Sequence, residues 1–245
     1  MSSILLKIEN KIAFITLNRP EVFNSFNREM ALLLQKTLDD CANDSNVRAI
    51  VITGSGKAFC AGQDLKEVTT PELNPGFRKI LEKHYNPIIT KIRNIEKPII
   101  AAVNGVAAGA GANIALACDI VVTTEHASFI QAFSKIGLIP DSAGTFFLPR
   151  LIGFQKATAL MMLGDKVSAQ EAYNLGMIYK IFPLAFFEEE VRTLATTLAN
   201  MPTKALGLTK RLLNQSMNNN LEQQLALESD LQIEASSSND YNEGV

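Results

Sequence analysis

Residues 104–119, NGVAAGAGANIALACD, combine small residues with an apolar segment in a way that suits the binding of an anion. The apolar run at 98–103 predicts a buried strand before them, and residues 114–118 predict a buried helix after them. The first N–H groups of a helix have no partner within it and carry the positive end of its dipole. Because small side chains let a ligand approach the backbone, we expect an oxyanion or phosphate site near Gly109, Ala110 and Gly111.

Two other interpretations of this segment stay open. Glycine and alanine also permit tight packing of a helix on a sheet without any ligand. A dinucleotide-binding turn is the second alternative, because Glu125 follows at a plausible distance. The fingerprint G-x-G-x-x-G, however, needs a small residue where this chain has Ile114, and it belongs early in a repeated βαβ domain. The sequence therefore disfavours a dinucleotide site.

The composition is that of an ordinary globular protein and argues against several classes of function. The 245 residues suffice for one large domain, with 47% hydrophobic and 20% charged residues. The net charge is −2 and the basic residues are scattered, so we expect no nucleic-acid partner. The apolar runs are too short for a membrane helix, and the first residues lack a signal-peptide layout, so a cytoplasmic location is expected. Three isolated cysteines give neither a disulfide framework nor metal-ligand spacing.

The hydrophobic pattern predicts alternating strands and helices, and therefore an α/β fold. A hairpin around Asn10 and Lys11 opens it. The last third is expected to be entirely helical. Strands are predicted at 5–9, 12–17, 47–53, 98–103, 119–124 and 128–131, and helices at 28–42, 77–94, 145–152, 154–163, 169–176, 202–215 and 221–234.

Local signals refine this outline. Asn27 is expected to cap the first helix, and Ser168 with Glu171 forms a predicted capping box. Pro87 should kink or interrupt the helix at 77–94. Residues 69–76 are predicted to be a mobile surface segment, and the tail after Ser236 is predicted to be disordered.

Three segments together resemble those of a known family. They are AFCAGQDL at 58–65, the small-residue segment at 105–119 and FIQAFSKIGLIPDSAG at 129–144. In this order they resemble the signature segments of the enoyl-CoA hydratase/isomerase (crotonase) superfamily. The resemblance implies a spiral of ββα units over residues 1–195 and a C-terminal helical trimerisation region over 196–245. It also implies an acyl-CoA thioester substrate, no metal, no cofactor beyond the substrate's own coenzyme A, and a homotrimer or hexamer.

The resemblance also assigns roles to individual residues. By motif position, the backbone N–H groups of Gln63 and Ala110 form an oxyanion hole for the thioester oxygen. Asp64 suits a structural hydrogen-bonding role better than that of an acid, and Asn113 serves either the site or only its own helix. The residues expected to bind substrate or CoA are Ala61, Gly62, Asp64, Gly109, Asn113 and Phe133.

The available acidic groups determine which reaction of the family is favoured. Hydratases of the family place glutamates where this chain has Asn113 and Phe133, and neither of these can carry a proton. Asp141 stands where family isomerases and a dehalogenase branch place an acidic residue. A carboxylate there can move a proton between two carbons if an apolar pocket, with Phe129, Phe133 and Ile136 as candidates, raises its pKa. The plain alternative is that Asp141 caps the following helix.

The runs AGAGANIAL and FSKIGLIPDSAGTFFLPRLIG resemble the phenylacetate-pathway branch. Its members isomerise ring-epoxide phenylacetyl-CoA to an oxepin and shift β,γ double bonds to α,β. Ala143 departs from that branch, where the first residue of a Gly–Gly pair is usual. We therefore expect an acyl-CoA isomerase of fatty-acid or phenylacetate catabolism, with Asp141 as proton shuttle.

Three alternatives remain at this point. One is an enoyl-CoA hydratase that uses other groups, and another is a non-catalytic acyl-CoA- or RNA-binding member of the same fold. The third is a dehalogenase in which Asp141 is the nucleophile. The acyl group cannot be read from the sequence, although residues 66–80 and the C-terminal helices are expected to line its pocket.

Overall fold

The structure, a computed structural model, describes residues 2–244. Its strands are β1 (Ile4–Glu9), β2 (Ile12–Leu17), β3 (Ala49–Gly54), β4 (Ala58–Cys60), β5 (Ile99–Val103), β6 (Val106–Ala108), β7 (Ile120–Thr124), β8 (Ser128–Ile130), β9 (Lys166–Ser168) and β10 (Lys180–Phe182). Its α-helices are α1 (Arg28–Asn43), α2 (Leu65–Thr69), α3 (Phe77–Lys79), α4 (Asn86–Asn94), α5 (Ala110–Leu116), α6 (Gly144–Ile152), α7 (Phe154–Leu163), α8 (Ala169–Asn174), α9 (Phe187–Asn200), α10 (Thr203–Ser216), α11 (Leu221–Ser236) and α12 (Asn239–Gly244).

Six strands form the larger sheet, in the order β1-β2-β3-β5-β7-β10. The predicted hairpin of β1 and β2 is antiparallel, and the remaining neighbours are parallel. Because side chains alternate across a strand, Ile50 and Ile52 face the main core while Val51 packs beneath Val191 of α9 in a second cluster. Both faces of the central strands are therefore buried, which explains their continuous apolar sequences.

A smaller sheet, in the order β4-β6-β8-β9, stands beside the first. Each of β3, β5 and β7 is followed within a few residues by one short strand of this second sheet, so strand–strand–helix units repeat along the chain. Gly54 and Gly105 occupy the first two crossings, where a β-carbon would overlap the backbone of residues 57–59. The predicted α/β class is confirmed.

The helix predicted at 77–94 is interrupted, as expected, but over a whole turn. Ile80–Tyr85 is π-helical, between α3 and α4. Pro87 has no N–H to give to the carbonyl of Lys83 four residues earlier. Gln35 of α1 supplies the missing donor, because its Nε2 lies 2.8 Å from that carbonyl oxygen. The π-helical segment carries Tyr85 into the functional cavity described below.

The C-terminal third differs from the sequence prediction in two places. It is not entirely helical, because β9 belongs to the smaller sheet and β10 to the larger one. Their three residues each are too few to show an alternating pattern. The tail predicted to be disordered contains α12. The predicted boundary between 195 and 196 falls inside α9. Among the helices of residues 2–244, none combines the length and apolarity needed to cross a bilayer.

Asn27 caps α1 as predicted, whereas the capping box predicted at Ser168 is only half formed, because the Glu171 carboxylate pairs with Lys156 at 3.0 Å instead. The Asn27 side chain accepts a hydrogen bond from the Met30 N–H, and the Ser168 side chain accepts one from the Glu171 N–H. Residues 70–76 form turns and irregular chain on the surface, where mobility had been predicted.

Candidate active site

A cavity of about 670 Å³ brings together most of the residues singled out in the sequence. It lies between the loop after β4, the helical segment around Tyr85, the start of α5 and the chain before α6. Its walls are largely apolar. The lining residues are Val22, Ser25, Ala61, Gly62, Gln63, Asp64, Leu65, Lys66, Val68, Phe77, Ile80, Leu81, Tyr85, Gly109, Ala110, Ala132, Phe133, Ile136, Leu138 and Asp141.

In the loop after β4, the backbone N–H of Gln63 points away from the neighbouring chain segment around Phe26. Gln63 forms a parallel bridge with Phe26. That bridge uses the carbonyl of Gly62, which accepts from the Phe26 N–H at 2.7 Å, and the N–H of Asp64, which donates to the Phe26 carbonyl at 2.8 Å. In a parallel bridge the central residue points its own N–H to the opposite side. The backbone N–H of Gln63 makes no hydrogen bond to any other residue in the described part of the chain.

The second unpaired amide belongs to Ala110, the first residue of α5, whose N–H has no partner within the helix. Gly109 before it has φ 52° and ψ −127°, a conformation that glycine adopts readily. Gly62 lies directly opposite, because a β-carbon there would sit 3.4 Å from the Ala110 nitrogen. The amides of Gln63 and Ala110 therefore come from adjacent backbone segments and border the same cavity.

The side chain of Gln63 is fixed by a hydrogen-bond network behind the cavity wall. The Tyr85 hydroxyl donates to Gln63 Oε1 at 2.9 Å, and Gln63 Nε2 donates to Glu67 Oε2 at 2.8 Å. The other Glu67 oxygen accepts from the Arg28 N–H at the start of α1. Burial raises the pKa of Tyr85 well above its usual value, so its hydroxyl stays protonated as a donor. Sequence reasoning did not identify Tyr85.

Asp141 borders the cavity and does not cap α6. The N-cap position is taken by Ala143, and within residues 2–244 the side chain of Asp141 accepts a hydrogen bond only from the Ser142 hydroxyl, at 2.8 Å. The N-cap alternative for Asp141 is thus wrong, since two left-handed residues, Ser142 and Ala143, separate it from the helix. Burial raises the pKa of Asp141, and the hydrogen bond from Ser142 opposes that rise.

Asn113 lies one layer behind Asp141. It is buried and is not among the lining residues, and its Nδ2 donates to the backbone carbonyl of Asp141 at 2.8 Å. The sequence left open whether Asn113 serves the site or its own helix. In the structure its side chain leaves the helix and holds the loop that carries Asp141.

Of the other predicted site residues, some line the cavity and others stabilise the chain around it. Ala61, Gly62, Gly109 and Phe133 line the cavity. Asp64 also borders it, but its carboxylate caps α2 through the Lys66 N–H and pairs with Arg19 at 2.8 Å, which is the structural role favoured from the sequence. Ile136 lines the wall as expected. Phe129 does not, because β8 directs it into the main core.

The pocket prediction was right for the 66–80 segment and wrong for the C-terminal helices. Lys66, Val68, Phe77 and Ile80 line the cavity, whereas no lining residue comes from the described part of the chain beyond Asp141. Of the C-terminal helices, α9 instead covers one face of the larger sheet, and α10 packs on α4.

Nucleophilic and metal-binding side chains are scarce in the cavity. Burial raises the pKa of Cys60 to about 12, and its sulfur packs against Gly111 of α5. His84 is buried behind the wall, and burial lowers its pKa. Across residues 2–244 no cluster of three or more His, Cys, Asp or Glu side chains could hold a metal ion.

Comparison with known proteins gives consistent matches over the whole chain. The sequence profile of the family described as enoyl-CoA hydratase/isomerase matches residues 7–245. The 1,2-epoxyphenylacetyl-CoA isomerase of Escherichia coli (strain K12) is 43% identical, with 100% of this chain and 94% of that protein aligned. A "probable enoyl-CoA hydratase" of Rhodobacter capsulatus is 42% identical over 99% of this chain and 93% of its own length. The crystal structure of an enoyl-CoA hydratase from Polaromonas sp. JS666 superimposes with a TM-score of 0.91 at 33% identity, covering 98% of this chain and 94% of that one.

Proposed function

Because the chain belongs to the enoyl-CoA hydratase/isomerase family, we propose that it is an acyl-CoA isomerase that works through a thioester enolate. The observation that carries the proposal is the arrangement of one carboxylate and two unpaired backbone amides around a single apolar cavity. Asp141 supplies the carboxylate, and Gln63 and Ala110 supply the amides. Asp64, the other carboxylate at the wall, is held by Arg19 and by the Lys66 N–H.

In the proposed reaction the thioester oxygen accepts hydrogen bonds from the N–H groups of Gln63 and Ala110. These donors stabilise the negative charge that develops when a proton leaves the α-carbon, and each is worth about 3–4 kcal/mol of the barrier. Asp141 takes that proton and returns it at another carbon of the conjugated system. A raised pKa suits this role, because the group must both accept and release a proton near neutral pH.

The candidate substrates are a 3-enoyl-CoA, whose double bond would shift to α,β, and a ring-epoxide phenylacetyl-CoA. The similarity to the Escherichia coli isomerase supports the second. The apolar wall formed by Phe77, Ile80, Phe133 and Leu138 suits either acyl group. We place the reaction in fatty-acid or phenylacetate catabolism. We further propose a homotrimer or hexamer, and a reaction that needs no metal and no cofactor besides the coenzyme A of the substrate.

Hydration of a 2-enoyl-CoA is the second candidate, favoured by the similarity to the Rhodobacter capsulatus protein. Water addition calls for a pair of acidic groups to position and deprotonate water and to protonate the α-carbon. Of the two positions where hydratases carry glutamate, one here is a buried amide bonded to the Asp141 carbonyl and the other is the aromatic ring of Phe133. This side-chain chemistry supports isomerisation over hydration.

The experiment is an assay of the wild type and Asp141→Asn against a 3-enoyl-CoA, a 2-enoyl-CoA and the ring-epoxide substrate. We expect the wild type to isomerise the 3-enoyl-CoA or the ring-epoxide substrate. Asp141→Asn should lose about 10²- to 10⁴-fold in kcat. Asp165→Asn, which removes an exposed carboxylate outside the cavity, is the matched control. Hydration of the 2-enoyl-CoA that persists in Asp141→Asn would contradict the proposal.

A further inference from the structure

Two buried carboxamides stand in series behind Asp141. Gln131 Nε2 donates to Asn113 Oδ1 at 2.8 Å, and Asn113 Nδ2 donates to the Asp141 carbonyl at 2.8 Å. Both side chains are almost inaccessible to solvent, at 3% and 1% exposed. Gln131 follows β8, whereas Asn113 lies in α5, so the pair ties three separate segments together.

The first hydrogen bond fixes the direction of the second. A carboxamide can turn over and exchange its oxygen and nitrogen with little change in shape. Because Gln131 offers an N–H to Asn113, the Asn113 oxygen is held on that side and its N–H₂ group must face Asp141. If Asn113 turned over, its oxygen would meet the Asp141 carbonyl, and two acceptors would oppose each other.

The loop that carries Asp141 depends on this support. Ser142 and Ala143 have φ values of 50° and 59°, a left-handed conformation that L-residues adopt rarely unless the surroundings hold them. The next residue, Gly144, rests directly on the Asn113 carboxamide, where any β-carbon would overlap it. The Asn113 amide therefore both bonds to the loop and forms the surface on which the loop packs.

Asn113 also links the two parts of the proposed catalytic site. It lies three residues after Ala110 in the same short helix, and its side chain grips the backbone of Asp141. We propose that Gln131 is a positioning residue: by orienting the Asn113 carboxamide, it sets where the Asp141 carboxylate stands relative to the Ala110 N–H. This inference rests on the proposed function, since it assumes that both groups act on one substrate.

A purely structural role for Gln131 fits less well. Its Oε1 atom is buried and has no hydrogen-bond partner in residues 2–244, and leaving an acceptor unpaired is unfavourable. Replacing Gln131 with the similarly shaped methionine removes that orphan acceptor and creates another, the Oδ1 of Asn113. The number of unpaired acceptors stays the same, so thermal stability should change little while the orientation of Asn113 is lost.

The test compares kcat, KM and Tm of Gln131→Met with those of the wild type, using the acyl-CoA that the wild type converts. We expect kcat to fall by about 100-fold, as for a small misplacement of a catalytic group, with KM changed less than about twofold. Tm should stay within a few degrees. Asn214→Leu removes a carboxamide that bonds to Arg93 away from the cavity. It serves as the control for a general loss of stability when a buried hydrogen bond is removed.

Asn113→Ala and the double variant show whether Gln131 acts through Asn113. If it does, adding Gln131→Met to Asn113→Ala costs no further activity, since the two changes break one chain of contacts. Additive losses in the double variant, or an unchanged kcat in Gln131→Met, would overturn the inference. Gln131→Leu gives a second variant should Gln131→Met fold poorly, because leucine also has no donor for Asn113, and it too should lose kcat.

The failure of the inference and the failure of the proposed function look different. If Asp141→Asn is inactive and Gln131→Met is fully active, only the positioning role of Gln131 falls. If Asp141→Asn keeps wild-type activity, the proton shuttle itself is wrong, whatever Gln131→Met does.

Discussion

The α-carbon of Gly62 faces the amide nitrogen of Ala110 so closely that a β-carbon on Gly62 would stand 3.4 Å from that nitrogen and 3.0 Å from the carbonyl oxygen of Ala108. A side chain on residue 62 would therefore crowd the space between the two chains. Ala110, one of the two residues proposed for the oxyanion hole, lies at this point of approach, and the other, Gln63, directly follows Gly62. The thioester oxygen would have to enter beside it.

Gly62→Ala should therefore reduce activity beyond its effect on stability. Gly62 has φ +93°, so alanine costs about 1 kcal/mol of backbone strain there, and its methyl group would push the Gln63 and Ala110 segments apart. Gly76 has φ +89° but open space around it, so Gly76→Ala carries a similar strain without the contact. We expect kcat/KM to fall at least tenfold more in Gly62→Ala than in Gly76→Ala. Equal losses in the two variants would show that the approach of Gly62 to Ala110 is unimportant for catalysis.

Removing the Ser142 hydroxyl should shift the pH dependence of the reaction. The hydrogen bond from Ser142 favours the ionised carboxylate of Asp141, so Ser142→Ala raises the pKa of that carboxyl further. Asp141 must be ionised to accept a proton, and the acidic limb of the kcat/KM profile should therefore move to higher pH. A shift to lower pH, or none, would contradict Asp141 as the proton acceptor. Ser216→Ala, at an exposed site on α10, provides the control.

Asp141→Asn should make the protein more stable at neutral pH. Burial raises the pKa of Asp141 in the folded state, so the folded protein binds this proton more tightly than the unfolded chain does. As pH rises from the unfolded pKa through the folded one, stability is lost, at about 1.4 kcal/mol for each unit of pKa difference. Denaturant unfolding should show Asp141→Asn to be the more stable protein at pH 7, with the difference shrinking toward pH 3. A less stable variant at pH 7 would mean that the carboxylate mainly stabilises the fold.

Tyr85→Phe tests the network behind Gln63. It leaves the Gln63 Oε1 atom without the donor that now lies 2.9 Å away, at a cost of about 1–3 kcal/mol in the free energy of unfolding. Because the Gln63 side chain then loses one of its three hydrogen-bond partners, we expect kcat to fall while KM changes little. Tyr173→Phe removes an exposed hydroxyl and should alter neither quantity. Unchanged unfolding and kcat in Tyr85→Phe would refute the anchoring role.

The sequence predicted the parts of the fold that depend on local signals. The hairpin of β1 and β2, the cap at Asn27 and the interruption before Pro87 follow from hydrophobic alternation, a capping side chain and a missing N–H. β4, β6, β9 and β10 were missed, because three residues are too few for an alternating pattern and each strand is held by partners distant in sequence.

The same contrast applies to the cavity. Gln63, Ala110 and Asp141 were found because they lie in contiguous motifs, and the structure brings all three to one cavity. Tyr85 lies outside the motifs, and Gln131 lies within the 129–144 segment but received no role from the sequence. Their importance lies in contacts across 18 and 22 residues of chain, which only the folded arrangement reveals.

The most direct test of the central claim is exchange of the α-protons of phenylacetyl-CoA in D₂O, followed by mass spectrometry. This measures enolate formation without requiring the natural acyl group to be known. The proposed site predicts that the wild type exchanges these protons well above the uncatalysed rate and that Asp141→Asn, at equal folded concentration, loses about 10²- to 10⁴-fold of that rate. Exchange by Asp141→Asn at the wild-type rate, or bound phenylacetyl-CoA that the wild type leaves unexchanged, would contradict it.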